Sequence, residues 1–340
     1  MAVGPLALTP APLTVAAALR GRRGRFERYL RRWPSDLASA IRRASGPPGA
    51  ARRHPGGDAE GAPYWVALPC LAVGTIRTAE HARARRFLAD VTWGQYCLYL
   101  AIRIADDLCD GDMPAGPAIW VAQHLFGEAV RAFQASVRAP RFWPLFHTAV
   151  ADTLDAIVQV DRLQRRPGRL SASRATLHAR VSSVLKVGVA AVGLTYRTAG
   201  ETAALLACAD HLAIAGQIVD DLTDVDEDLE RGRYNLVANL LRRGRDRMSP
   251  RVLVRAAVSG DGLDQVIGLL DRHVQRAAAT VRAVNLPAVQ AHVARVTIET
   301  TQLAEAIHRT RVEYIARAVW ERPRAANRRA TPTHGRQRCT

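Results

Sequence analysis

From Tyr64 to about Trp320, apolar residues recur every three or four positions, the spacing that gathers them on one face of an α-helix. Alternating runs of β-branched residues bounded by turns are missing, so strands are not expected. The pattern predicts helices over roughly 64–77, 79–110, 118–137, 142–166, 172–198, 201–231, 235–242, 250–257, 261–283 and 287–320. The interruptions carry helix-breaking residues: GDMPAGP at 111–117, APR at 139–141, RPGRLS at 166–171, and Gly200. No proline occurs between Gly168 and Ser249, and no repeat of fixed period is visible, which disfavours a solenoid. The expected fold class is all-α: a single large bundle of about ten helices spanning 61–321.

The flanks read differently. Residues 1–60 predict a basic appendage, with one helix over Thr14–Arg32 and another over Ser35–Arg43. A linker rich in Pro and Gly follows at 45–63. The tail at 322–340 has few apolar residues and is expected to be disordered.

Composition narrows the function classes. The chain has 340 residues, 48% of them hydrophobic, which excludes a disordered polymer. Its formal charge of +17 is concentrated at the ends: +7 over residues 1–60 and +6 over 305–340, leaving only +4 between them. A nucleic-acid reader puts its positive charge on a folded face, so nucleic acid is not the expected partner. Basic ends fit solvated arms, or at most peripheral contact with anionic lipid. No secretory signal pattern and no later run of about 18 uncharged apolar residues is found, so a cytoplasmic protein is expected. The five cysteines, Cys70, Cys97, Cys109, Cys208 and Cys339, form no CxxC pair, so neither a disulfide framework nor a zinc site is implied.

Of 48 basic residues, 47 are Arg and one is Lys186. A coding bias explains the arginines but not the survivor. A chance surface lysine is one reading of it. Its neighbours Val181, Val184, Leu185, Val187, Val189 and Val192 point to the other, an ammonium on an apolar helix that needs an anion.

Two acidic clusters carry the candidate chemistry. The first, IADDLCDGD, contains Asp106, Asp107 and Asp110; the second, GQIVDDLTD, contains Asp220, Asp221 and Asp224. Each is a DDxxD, and i,i+4 spacing sets carboxylates side by side on one helix face, as a hard cation such as Mg²⁺ requires. A solvated acidic face is the alternative. Against it, mostly apolar stripes lead into both clusters: Ile102, Tyr99, Leu98 and Gln95 above Asp106, and Gln217, Gly216, Ala213 and Leu212 above Asp220. Both clusters also lie at helix C-termini, where the dipole disfavours anions by ~0.3–1 kcal/mol each, a sign that bound cations would reverse. Three predicted helices separate the two acidic ones, so in an up-down bundle both acidic ends emerge at one mouth. Metal ions bridging to an anion, with Lys186 pointing inward, describe a diphosphate site. Arg231, Arg233 and Tyr234 follow the second cluster and are candidates to cap the same anion.

At this point the chain resembles the class I isoprenoid synthases of the trans-prenyl diphosphate synthase type. GQIVDDLTD at 216–224 is similar to that family's second motif, usually an aromatic followed by QxxDDxxD; DDLCD at 106–110 resembles its first, and LKVG at 185–188 its Lys-Thr-Gly region. The resemblance implies a helical bundle with a deep central cavity, in which three Mg²⁺ help to ionise an allylic prenyl diphosphate substrate. It makes Asp106, Asp110 and Asp220 direct ligands, and Asp107, Asp221 and Asp224 ligands or their supports. It puts Gln217 and Lys186 on the diphosphate. Trp93, Tyr96 and Tyr99 are candidates to stabilise a carbocation, or are plain core; Ala101 and Ile102 are the expected cavity floor. A homodimer is usual in that family. The chain also departs from it: no Arg pair follows the first motif, and residues 1–60 contain no Lys for a second diphosphate. Three readings follow: prenyl transfer, with isopentenyl diphosphate as a candidate co-substrate; a terpene cyclase using one diphosphate; and an inactive helical module held on anionic membrane or nucleic acid.

Overall fold

The computed structural model describes residues 15–44, 64–73, 81–109, 116–165, 177, 180–230, 235, 237–238 and 262–329. Among these there is no strand. In chain order the helices are α1 (Val15–Leu30), α2 (Ser35–Ala44), α3 (Tyr64–Ala72), α4 (His81–Cys109), α5 (Pro117–Ser136) and α6 (Phe142–Arg165). A 3₁₀ turn (Ser183–Lys186) leads into α7 (Val187–Tyr196); then come α8 (Ala199–Thr223), α9 (Val225–Glu230), α10 (Gly262–Arg282) and α11 (Pro287–Arg329). The helix expected at 250–257 lies outside the described residues.

Packing follows the apolar stripes. The long helix α4 lies along α5, α8 lies along α10, and the short helix α3 is inserted among α1, α4, α7, α8 and α11. Every residue of α3 from Tyr64 to Cys70 is buried, Pro69 in its interior included. Arg197 ties α3 down: its Nε donates to the Ala72 carbonyl over 2.8 Å, and its Nη2 donates to that of Val73. A guanidinium there satisfies carbonyls that a helix end leaves unpaired.

α8 starts at a capping box. Thr198 Oγ1 accepts from the Glu201 amide, and the Glu201 carboxylate accepts from the Thr198 amide over 2.9 Å. One side of α8 (Leu205, Ala209, Leu212) joins the main core; another (Ile214, Ile218, Val219) meets Val266, Leu270 and Val274 of α10. Burial on two sides removes the need for a polar face. Ala199–Thr223 is accordingly the one helix among the described residues long and apolar enough to cross a membrane. Its buried share in the bundle is that of a core helix.

The ends depart from expectation. α1 and α2 are not an appendage: Phe26, Tyr29, Leu30, Ala38 and Ile41 are buried in the main core. The arginines of α1 conceal this in the sequence. Arg22 lies over the Tyr96 ring at 4.5 Å and Arg25 over Trp93 at 5.4 Å, so their charge faces aromatic surface. Arg25 also donates to Asp90 on α4 over 2.9 Å. At the other end α11 continues past residue 322, to Arg329, through part of the segment expected to be unstructured. The predicted helix at 172–198 is interrupted at the 3₁₀ turn, for a reason that belongs to the site.

Candidate active site

The C-terminal end of α4 carries Asp106 and Asp107. Arg103, one turn back, holds both: its Nε lies 3.1 Å from Asp107 Oδ1 and its Nη1 3.8 Å from Asp106 Oδ2. The Asp106 side chain is 40% exposed and that of Asp107 13%. The end of α8 carries Asp220, Asp221 and, at its C-cap, Asp224.

Tyr99 and Tyr64 show how the two ends relate. Tyr99, on α4, has a phenol pushed up by burial first, pulled back by Arg103, and pushed further by Asp220, Asp107 and Asp106. One side chain therefore senses acids of both clusters. Trp65 of α3 stacks on the Tyr99 ring, with centroids 4.8 Å apart and planes 28° from parallel. The Tyr64 phenol is raised by burial and then by Asp210 and Asp220. Carboxylates of both α4 and α8 thus lie within electrostatic reach of Tyr99, against which Trp65 of α3 is stacked.

Lys186 ends the 3₁₀ turn, and its Nζ donates to Asp210 Oδ1 over 2.9 Å. The anion it needs in the absence of a ligand is supplied by α8. The turn is held open by two buried side chains. Gln95 Nε2 donates to the Val184 carbonyl over 3.1 Å, and Gln95 Oε1 accepts from the Gly188 amide over 2.7 Å. Thr153 Oγ1 accepts from the Val184 amide over 3.0 Å and donates to the Arg180 carbonyl over 3.2 Å. Gly188 leaves room for the clamp: a Cβ there would lie 3.2 Å from both Gln95 Oε1 and Pro69 Cγ, a tight contact that would push on it. Side chains of α4 and α6 replace backbone bonds of a continuous helix, and the resulting break presents Lys186.

The other predicted residues divide. Gln217 donates to Asp221 Oδ1 over 2.9 Å, so in this structure it braces an acid of its own helix. Asp221 is 4% exposed, and its backbone carbonyl accepts from Asn235 Nδ2 over 2.8 Å. Asn235 also donates to Asp228 and accepts from the Ala238 amide, pinning the end of α8 to the chain that follows. Asp224 lies where α8 ends, with the Thr223 hydroxyl 3.3 Å from its Oδ1. Trp93 and Tyr96 are placed under α1, against Tyr29 and Phe26. Ala101 is buried and Ile102 half-buried in the main core. Asp110, Arg231, Arg233 and Tyr234 lie outside the described residues.

Sequence reasoning missed Tyr64, Trp65, Asp210, Asn235 and the clamping role of Gln95. Asp210 left a signal: it is the only acid between Glu201 and Asp220 in an otherwise apolar helix, a counterpart to the lone lysine. Gly216 left another, since it stands where the resembled motif has an aromatic. The Tyr64 ring fills that place from α3, with Cε1 4.0 Å from where a Cβ would sit.

Among the described residues no three His, Cys, Asp or Glu gather as a ready-made metal site. The donors still suit magnesium. They are carboxylate oxygens only, and Mg²⁺ is held by one or two carboxylates plus waters and substrate phosphates, not by an all-protein cage.

No protein-family model matches the chain, and no curated protein matches it by sequence. Solved structures do. Heptaprenyl diphosphate synthase from Staphylococcus aureus superposes with a TM-score of 0.64 at 13% identity, over 87% of this chain and 99% of that one. The chain has the fold of the prenyl diphosphate synthases. Geranylgeranyl pyrophosphate synthetase from Geoglobus acetivorans gives 0.62 at 17% identity, over 86% and 99%. Polyprenyl synthase from Caulobacter crescentus, complexed with calcium and isoprenyl diphosphate, gives 0.58 at 16%, over 85% and 99%. At these identities the likeness establishes the all-α prenyl synthase fold and leaves the chemistry to the residues.

Proposed function

We propose that the protein is a Mg²⁺-dependent isoprenoid synthase that ionises an allylic prenyl diphosphate and transfers the prenyl group. What supports this reading is the prenyl synthase fold together with the two DDxxD segments at the C-terminal ends of α4 and α8, with acids of each within electrostatic reach of Tyr99. Asp106, Asp107, Asp110, Asp220 and Asp224 would hold the ions, three by resemblance. Bound there, Mg²⁺ supplies positive charge to neutralise the leaving diphosphate.

The chain's own residues do the rest. Lys186 exchanges Asp210 for the diphosphate. Asp221, braced by Gln217 and fixed through Asn235, holds the end of α8 so that Asp220 and Asp224 keep their direction. Trp65 and Tyr99 exclude water and offer aromatic faces to the developing cation, each worth about 0.5–2 kcal/mol. Arg231, Arg233 and Tyr234 would close on the diphosphate. The enzyme is proposed to be cytoplasmic and homodimeric, with membrane contact confined to its Arg-rich ends.

A second reading, cyclisation of a single prenyl diphosphate, has one observation in its favour. α3, which walls the site with Tyr64 and Trp65, carries no Lys or Arg with which to hold a second diphosphate. The test is a panel of geranyl, farnesyl and geranylgeranyl diphosphates, each with and without isopentenyl diphosphate, in Mg²⁺ or EDTA. Mg²⁺-dependent diphosphate release and a lengthened prenyl chain by mass spectrometry are expected. A hydrocarbon or alcohol made from one substrate alone replaces transfer with cyclisation. No Mg²⁺-dependent release from any substrate refutes both.

A further inference from the structure

Tyr64 and Trp65 open α3 side by side, and both are buried. Trp65 is satisfied by its stack on Tyr99. Tyr64 is not. Its residue is 7% exposed, and its phenol oxygen is buried without a hydrogen-bond partner. Its ring lies against Gly216, one turn before Asp220 on α8. The nearby charges that act on it are Asp210 and Asp220. Asp210 already accepts from Lys186. The unpartnered hydroxyl therefore lies along α8 near Gly216, within electrostatic reach of Asp210, which pairs with Lys186, and of Asp220.

A buried phenol ordinarily finds an acceptor, and one left without it opposes folding. Burial and the two acids keep this phenol protonated, so it remains a donor. The missing partner is an acceptor that arrives with a ligand. A neutral donor beside a displaceable lysine, next to carboxylates that suit a divalent cation, fits an oxyanion brought in with its own cations.

We propose that Tyr64 is a catalytic residue of this site, its phenol O–H donating a hydrogen bond to an oxygen of the bound diphosphate. The assignment rests on the functional reading above. In the ionisation the allylic C–O bond breaks and both electrons go to the diphosphate oxygen. No proton is transferred. The hydrogen bond from Tyr64 strengthens as negative charge collects on its acceptor, so it favours the transition state over the bound ester.

The test is Tyr64→Phe in the full chain, with three readouts: the thermal midpoint without ligand, calorimetric binding of inorganic diphosphate with Mg²⁺, and Mg²⁺-dependent diphosphate release from the prenyl substrate. The midpoint should stay or rise, because the variant removes a hydroxyl that has no partner. Binding should weaken roughly 10-fold, and release should fall by about 10–100-fold. A lowered midpoint with unchanged binding makes the hydroxyl structural and overturns the proposal. Equal binding and release by both proteins overturns the role of Tyr64 and leaves the proposed function standing. If the unaltered protein binds no diphosphate with Mg²⁺, the functional reading and the role of Tyr64 fall together.

Discussion

Replacing Gln95 by leucine tests whether the break that presents Lys186 is held from α4. The substitution keeps most of the volume and removes both polar atoms of the amide. The Gly188 amide then loses its acceptor inside the protein, which costs about 1–3 kcal/mol for a buried donor left unpaired. The Val184 carbonyl loses one donor but retains the Val187 amide, so that second bond is worth only about 0.5–1.5 kcal/mol. The expected destabilisation is about 2–4 kcal/mol, read as a fall in the urea midpoint followed by far-UV circular dichroism. Lys186 sits two residues from each clamped group, so binding of inorganic diphosphate with Mg²⁺ should weaken under conditions where the variant is still folded. A stability change under about 0.5 kcal/mol would show that the buried groups find other partners, and the clamp would be refuted. Full destabilisation with unaltered binding would refute its connection to Lys186.

Asp106→Ala or Asp220→Ala should abolish Mg²⁺-dependent diphosphate release while helical content by circular dichroism is retained; unchanged turnover in either removes the metal assignment. The Lys186–Asp210 pair is partly exposed, so Lys186→Ala should cost under about 1 kcal/mol of stability while weakening diphosphate binding about 10-fold or more. If that variant chiefly unfolds, Lys186 is structural. His273, whose Nδ1 lies 3.3 Å from that of His211, is held down to about 4 by burial first, then by His211, Arg276 and Arg272. The unfolded chain takes up this proton near its ordinary value of 6.5, so the stability it contributes is present above that pH and is lost as pH falls toward about 4. Urea midpoints measured across that window should show the decline, and His273→Leu should flatten it; an equal slope in both proteins refutes the assignment.

The helical periodicity determined the bundle and most of its elements, because burying one face of a helix leaves a repeat that any window of sequence displays. It determined the two acidic helix ends for the same reason: i,i+4 carboxylates at the foot of an apolar stripe form a local pattern. The lone lysine among 47 arginines was legible from composition.

Only the tertiary structure decided what depends on contacts distant in sequence. α1 looked like a solvated arm because its arginines dominate its composition; their seats over Tyr96 and Trp93 lie more than sixty residues away along the chain. The same contacts seat Trp93 and Tyr96 against α1, while Tyr99 stacks on Trp65 of α3. The partner of Lys186 is 24 residues off, and the side chain that breaks its helix is 89 residues from the carbonyl it holds. Tyr64 comes against Gly216 of α8 from α3, a neighbour that no local pattern displays. A periodic pattern reports which face of a helix is buried; which side chain meets which on that face is set by how the helices cross.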